Sequence, residues 1–252
     1  MNSRFASLIS WVLFAGTIAV NALANILPIN GLNTGQVSAL YPNAFVPDGK
    51  TFAIWSVIYL WLLVFVAYTS VLAFQSKATV ANRQLVQSIS PLFWLTCLFN
   101  GTWILAWHHL QTGLSLIIML ALLVTLLAIF RQTVLAKPAI TAAARLLVVV
   151  PFTIYFAWIC VATIANSTAL LVQLQWSGWG LSAATWSIIM MAVATLLAVF
   201  ITWRHRQTGG FALVVAWALW GIYRGQEAPV TTAAIAGMAA CLAVAVFRLL
   251  RR

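Results

Sequence analysis

The 252-residue chain is 64% hydrophobic and only 6% charged, with two acids against thirteen bases. A soluble domain covers its surface with about 25% charged residues, so hydrocarbon must be the solvent for most of this chain. The formal charge of +11 does not indicate nucleic acid, because the bases sit singly between apolar runs instead of on one solvated face.

A helix crossing a hydrocarbon core of about 30 Å needs about 20 apolar residues. In chain order, eight runs approach that length: Phe5–Leu27, Phe52–Phe74, Ile89–Trp107, Leu114–Leu135, Leu146–Leu171, Leu181–Trp203, Phe211–Tyr223 and Val230–Phe247. The pattern predicts an all-α, polytopic transmembrane helix bundle whose seventh helix is short. Arg4, the first apolar run and Ala22-Leu23-Ala24 also fit a secretory leader. A retained helix is favoured, because the loop that follows carries a motif expecting one before it. Cys97, Cys160 and Cys241 all fall inside apolar runs and read as small buried hydrophobes, with no metal-ligand spacing.

With eight spans, both termini and the even-numbered connections share one side. That side holds Arg4, Lys77, Arg83, Arg131, Lys137, Arg145, Arg204, Arg206, Arg248, Arg251 and Arg252, and the other holds only Lys50 and Arg224. The bias of positive charge toward the inner side of membranes predicts cytoplasmic termini. The longest connection, the outer loop Pro28–Thr51, is rich in Asn, Gly and Pro, a length and composition more often functional than incidental.

Enzymatic apparatus is hard to find. Asp48 and Glu227 lie in different outer loops, and no nucleophile triad, phosphate loop or zinc spacing is present. Mid-span ionisable residues, which mark proton or ion paths, are essentially lacking. Asn, Trp and Tyr remain. Asn21 and Asn25, then Trp55 and Tyr59, then Asn100, Trp103 and Trp107, then Tyr155, Trp158, Ala162 and Asn166 recur at spacings of three or four. Each set makes a stripe on its helix, and all four reach the outer half of the membrane. An amide in hydrocarbon needs a partner and so faces the bundle interior, which turns Trp103 and Trp158 inward with Asn100 and Asn166. The alternatives for these residues are interhelical glue and interfacial anchoring. Trp11, Trp61, Trp176, Trp179, Trp203, Trp217 and Trp220 read as interfacial belt or plain packing. His108 and His109 are about 100° apart on a helix and cannot both face one haem iron. Ala233, Gly237 and Cys241 form a small-residue face suited to close helix contact.

Phe45-Val46-Pro47 followed by Phe52-Ala53-Ile54-Trp55-Ser56-Val57-Ile58-Tyr59 resembles the first loop and second helix of the TspO/translocator-protein family, also called tryptophan-rich sensory proteins or peripheral benzodiazepine receptors. Asn100-Gly101-Thr102-Trp103 with Trp107 is similar to that family's third-helix pattern. Trp158, Ala162, Thr163 and Asn166, with Pro151 upstream, resemble its fifth. The likeness covers a five-helix unit over about residues 5–175. Ile117 or Ile118 stands where the family often has Asp, Pro151 precedes Trp158 by seven residues and not four, and Asp48 replaces one residue of a common Pro-Pro pair.

The resemblance implies an organisation of a five-helix unit over 1–175, with its outer loop at 28–51, and a three-helix extension over 176–252. It also implies an integral membrane receptor or sensor, expected in a bacterial inner membrane, that binds a flat hydrophobic ligand such as a porphyrin or haem-related tetrapyrrole. Trp55 and Trp158 would be the pocket aromatics, with Asn21, Phe45, Tyr59, Asn100, Trp103, Trp107, Tyr155 and Asn166 around them. Asn amides or loop backbone would meet the ligand's polar edge. The expected partners are the lipid bilayer and that small molecule, with a homodimer open and no nucleic acid or metal. A carrier for a small hydrophobic solute, light-dependent porphyrin breakdown and an assembly role remain alternatives.

Overall fold

The computed structural model describes residues 3–74, 79–135, 139–205 and 208–251. Lys77, Lys137, Arg206 and Arg252 of the positive set lie outside them. The described residues contain helices and turns but no strand. Seven helical segments are long and apolar enough to span a bilayer. They are α1 (Ser3–Ile26), α3 (Ile54–Phe74, led in by a 3-10 turn at Gly49–Ala53), α4 (Val80–His108), α5 (Thr112–Phe130), α7 (Val150–Gln173), α8 (Ala183–Arg204) and α10 (Val230–Leu250). The short helices α2 (Thr34–Ala39) and α6 (Ala142–Ala144) lie in the long loop 28–51 and before α7, and α9 (Gly209–Gly225) precedes α10.

Helix α1 is inside-out relative to a helix of a soluble bundle. In α1 the buried positions are Ala6 and then Ser7, Ser10, Phe14, Thr17, Asn21 and Ala24, the last six alternating by three and four, while Leu8, Val12 and Ile26 are exposed. Lipid solvates Leu as well as a core does, so small and polar residues mark the helix contacts. Trp94 donates to Ser10 Oγ at 2.9 Å and Thr17 to the Cys97 carbonyl at 3.3 Å, binding α1 to α4. The third span starts at Val80, nine residues before its apolar run. Polar Asn82, Arg83, Gln84 and Gln87 end the run without ending the helix, which the Thr79 side chain caps.

Helices α1, α3, α4, α5 and α7 close a five-helix ring, with α3 against α1 and α7. α8, α9 and α10 form a second cluster that meets the ring through α9. At 17 residues α9 is about 25 Å long, less than a hydrocarbon core. Phe211, Val215, Ala218, Leu219 and Ile222 are nonetheless buried among α7, α8 and α10. A helix walled by protein need not match the bilayer thickness. α10 fits closely against it: a Cβ on Gly237 would stand 2.8 Å from Leu219 Cδ1 and 2.7 Å from Thr195 Oγ1. Cys241, one turn on, is fully buried.

Opposite ends of the bundle gather different partners. One end brings Arg4 over Phe74, Asn82 to Tyr68 and Thr141, and Arg248 to the Thr202 carbonyl. The other carries the long loop 28–51.

Candidate functional site

The ring's upper half is centred on Asn100. Its Oδ1 accepts from Asn21 Nδ2 at 2.8 Å and from the Tyr59 hydroxyl at 3.2 Å, and its Nδ2 donates to the Tyr155 hydroxyl at 3.1 Å. One amide thus ties α1, α3, α4 and α7 together. Asn166 Nδ2 donates to Ser115 Oγ at 3.1 Å, joining α7 to α5. These Asn amides are committed to other helices, the glue reading, which leaves them poorly placed to meet a ligand edge.

Above this polar layer sits an aromatic one. Trp55 is its hub, with ring centroids 5.5 Å from Tyr59, 6.0 Å from Trp103 and Tyr155, and 6.2 Å from Trp158. Trp103 stacks on Trp107 at 6.0 Å, and Phe52 meets Trp158 edge-on at 6.2 Å. The indole N–H groups of Trp55, Trp103 and Trp158 are buried without a hydrogen-bond partner among the described residues. All three rings line one small chamber of about 30 Å³ beneath the loop, together with Phe45, Phe52 and Asn166. That is room for about one water. Sequence reasoning missed Phe52, and it also missed Ala218 and Ile222 of α9, which complete the wall.

Two larger cavities flank the chamber. One of about 460 Å³ lies between α1, α3 and the loop, and shares Phe52 and Trp55 with it. The other, about 560 Å³, lies between α7, α8 and Asn43–Phe45, and shares Phe45.

The loop forms the roof and is fastened on both sides. Its first half rests on the end of α4. His108 is fully buried, with Nδ1 3.2 Å from the Ile29 carbonyl and Nε2 3.1 Å from the Thr34 hydroxyl. The carbonyl can only accept, so Nδ1 donates there and a neutral ring accepts from Thr34 at Nε2. Asn30 Nδ2 donates to the His108 carbonyl at 3.1 Å, and Trp107 Nε1 to that of Thr34 at 3.4 Å. Tyr41 packs against Trp107 at 6.0 Å, and burial raises its phenol above the ordinary range.

The second half is held by the C-terminal helices. Ser187 donates to the Ala44 carbonyl at 2.7 Å, Gln226 to those of Asn43 and Val46 at 3.3 Å, and Trp217 Nε1 to that of Thr51 at 2.9 Å. Asp48 N donates to the Gly221 carbonyl at 2.9 Å. A proline at 48 would have no N–H to give, so the departure from the Pro-Pro pattern and the contact with α9 go together. The Asp48 carboxylate caps the following turn by accepting from Lys50 N at 2.9 Å. Trp217 is therefore a roof fastener and not simply a belt residue. Its spacing of four from Gly221 was the available signal.

The ten residues singled out from sequence thus share one region: Asn21, Phe45, Trp55, Tyr59, Asn100, Trp103, Trp107, Tyr155, Trp158 and Asn166 all surround the chamber or its supporting network. The family model described as TSPO-like protein matches residues 7–247. The chain belongs to the TSPO-like family. The match runs through α8, α9 and most of α10, so these helices fall within the TSPO-like pattern along with the ring. No curated protein and no solved structure matches the chain.

Proposed function

We propose that this membrane protein is a receptor whose aromatic chamber takes a flat, largely apolar ligand with hydrogen-bond acceptors on its edge, a tetrapyrrole being the leading candidate. The observation that carries this reading is the set of three buried indole N–H groups, on Trp55, Trp103 and Trp158, that line one chamber without a partner among the described residues. An unmade buried hydrogen bond costs about 1–3 kcal/mol, so an acceptor arriving there is favoured while the rings offer stacking faces. Drug-sized ligands occupy about 300–1,000 Å³, so a macrocycle must displace Phe52 or Trp55 and merge the chamber with the 460 Å³ cavity behind them. The charge bias supports a roof that faces outward and termini that face the cytoplasm.

Titration of the purified protein with protoporphyrin IX, followed by Trp fluorescence, tests the proposal. Saturable quenching is expected, and Trp55→Ala with Trp158→Ala should remove it. Equal quenching in that double variant refutes the site. The shared walls of the three cavities favour a second reading, a carrier passing its solute beneath the roof. Porphyrin flux into proteoliposomes, abolished by the same double variant, separates transport from reception.

A further inference from the structure

We propose that the cleft between α7 and α8 is a second ligand site, built for an uncharged, mainly apolar alcohol or phenol. It stands independently of the aromatic chamber. The cleft of about 560 Å³ is large enough for a whole small molecule, unlike the chamber of about 30 Å³. It is also built and not incidental. α9 packs against both α7 and α8, which touch each other only sparsely. The connection between them turns through Gly178, Trp179 and Gly180 with φ of 70°, 52° and 82°. Three left-handed residues in succession reverse the chain sharply and leave the outer halves of the two helices facing across open space. Loop residues Asn43–Phe45 close the inner side, fixed there by Ser187.

The lining selects the chemistry. Among the described residues no Asp, Glu, Lys, Arg or His lines the cleft, so a charged occupant would lose its hydration without gaining a partner. Phe45, Trp176, Trp186 and Met190 supply apolar and aromatic faces. The hydroxyls on α7 itself have already spent their protons, while Gln175 and Ser177, past its end, are exposed at the mouth of the cleft. Thr163 donates to the Ile159 carbonyl at 2.7 Å, Ser167 to that of Thr163 at 2.8 Å, and Thr168 to that of Ile164 at 2.7 Å. Opposite them, Ser187 gives its proton to the Ala44 carbonyl and Trp186 Nε1 donates to Gly178 O at 2.8 Å. A hydroxyl that has donated keeps its lone pairs. The α7 wall therefore offers acceptors, and the ligand must bring the donor. The chamber has the reverse polarity, with indole donors and no free acceptor amide, so the two sites select different molecules.

The test uses the full chain in nanodiscs with 1-pyrenemethanol, read by energy transfer to the pyrene from the tryptophans, of which Trp176 and Trp186 line the cleft. Its methyl ether, equal in shape but lacking the O–H, is the comparison. The alcohol is expected to give saturable transfer, with the ether about 2- to 12-fold weaker, the fold-change that corresponds to one net hydrogen bond of about 0.5–1.5 kcal/mol. Thr163→Val with Ser167→Ala and Thr168→Val should bring the alcohol down to the ether's affinity. Ser167→Phe, which fills the cleft from its wall, should abolish transfer from both while leaving porphyrin quenching intact. Trp55→Ala with Trp158→Ala should leave alcohol binding unchanged, which keeps the outcome separate from the chamber's. Equal affinities for alcohol and ether in the unmutated protein overturn the donor requirement, and need no variant to fold. Undiminished transfer in Ser167→Phe, or its loss in the Trp55/Trp158 variant, overturns the location.

Discussion

Gly221→Ala probes the seam between α9 and the roof. A Cβ at 221 would lie 2.0 Å from Thr51 Oγ1, 2.8 Å from its Cγ2 and 2.9 Å from its Cβ. Thr51 is fully buried and β-branched, which restricts its rotation. No rotation moves its Cβ out of the overlap, so α9 must separate from the Gly49–Ala53 turn. Overpacking of this kind costs about 1–3 kcal/mol. Replacing Gly by Ala inside a helix returns about 1 kcal/mol through backbone entropy. Three overlapping atoms put the clash at the upper end, leaving a net loss of about 1–2 kcal/mol, or about a 5- to 30-fold rise in the population of the parted roof. Two hydrogen bonds cross this seam, Trp217 to the Thr51 carbonyl and Asp48 to the Gly221 carbonyl, and both lengthen together. Lys50 is exposed on the same turn, so tryptic cleavage after it should speed up by that factor when cleavage tracks local opening. In a Thr51→Gly background all three overlapping atoms are gone, and Gly221→Ala should slow cleavage through its helix propensity. Unchanged cleavage in Gly221→Ala, or the same acceleration in both backgrounds, would refute the packing argument.

Asp48→Pro should likewise speed cleavage at Lys50, because it leaves the Gly221 carbonyl without its donor at a cost of about 1–3 kcal/mol; Asp48→Asn, which keeps the N–H, should not. Asn100→Leu removes three interhelical hydrogen bonds at once. At about 0.6 kcal/mol each in a membrane protein, it should lower stability by roughly 2 kcal/mol, seen as a lower thermal midpoint in detergent. His108→Phe keeps the ring but frees the Ile29 carbonyl and Thr34 hydroxyl, so hydrogen exchange at Asn30–Val37 should rise while exchange at Thr51 stays slow.

Much of the ring was legible because amides in hydrocarbon have few places to go. Asn21, Asn100 and Asn166 turned their helix faces inward and carried Trp103 and Trp158 with them. Their partners were not legible, since spacing gives a face but not which hydroxyl stands opposite. Tyr155 and Ser115 pair with these amides, which agrees with the glue reading and not with the ligand edge that the resemblance implies. His108 was hidden for a related reason. A histidine at a helix end reads as solvated, and only the folded loop shows that Ile29 and Thr34 bury it. Trp217 and Gly221 fell in the shortest apolar run, whose pattern predicts a helix but not that protein surrounds it on most sides. α4 extended past its apolar run because helix and hydrocarbon boundaries need not coincide.

The two sets of roof fasteners bear on how a ligand reaches the chamber. Lifting the second half breaks hydrogen bonds from Ser187, Gln226 and Trp217 and the one from Asp48 to Gly221. Gln226 makes two of these five bonds, so at about 0.5–1.5 kcal/mol each that route costs about 2.5–7.5 kcal/mol before any apolar surface is exposed. The sideways routes cross only aromatic rings: Phe52 and Trp55 toward α1 and α3, and Phe45 toward α7 and α8. For the proposed receptor, exchange through the flanks is therefore cheaper than exchange through the roof, and the helices after α7 bias it that way by holding the roof down. A variant with a loosened roof, such as Gly221→Ala, should then change porphyrin on-rates less than Phe45→Ala or Phe52→Ala does. The opposite order in stopped-flow quenching would make the roof the entrance.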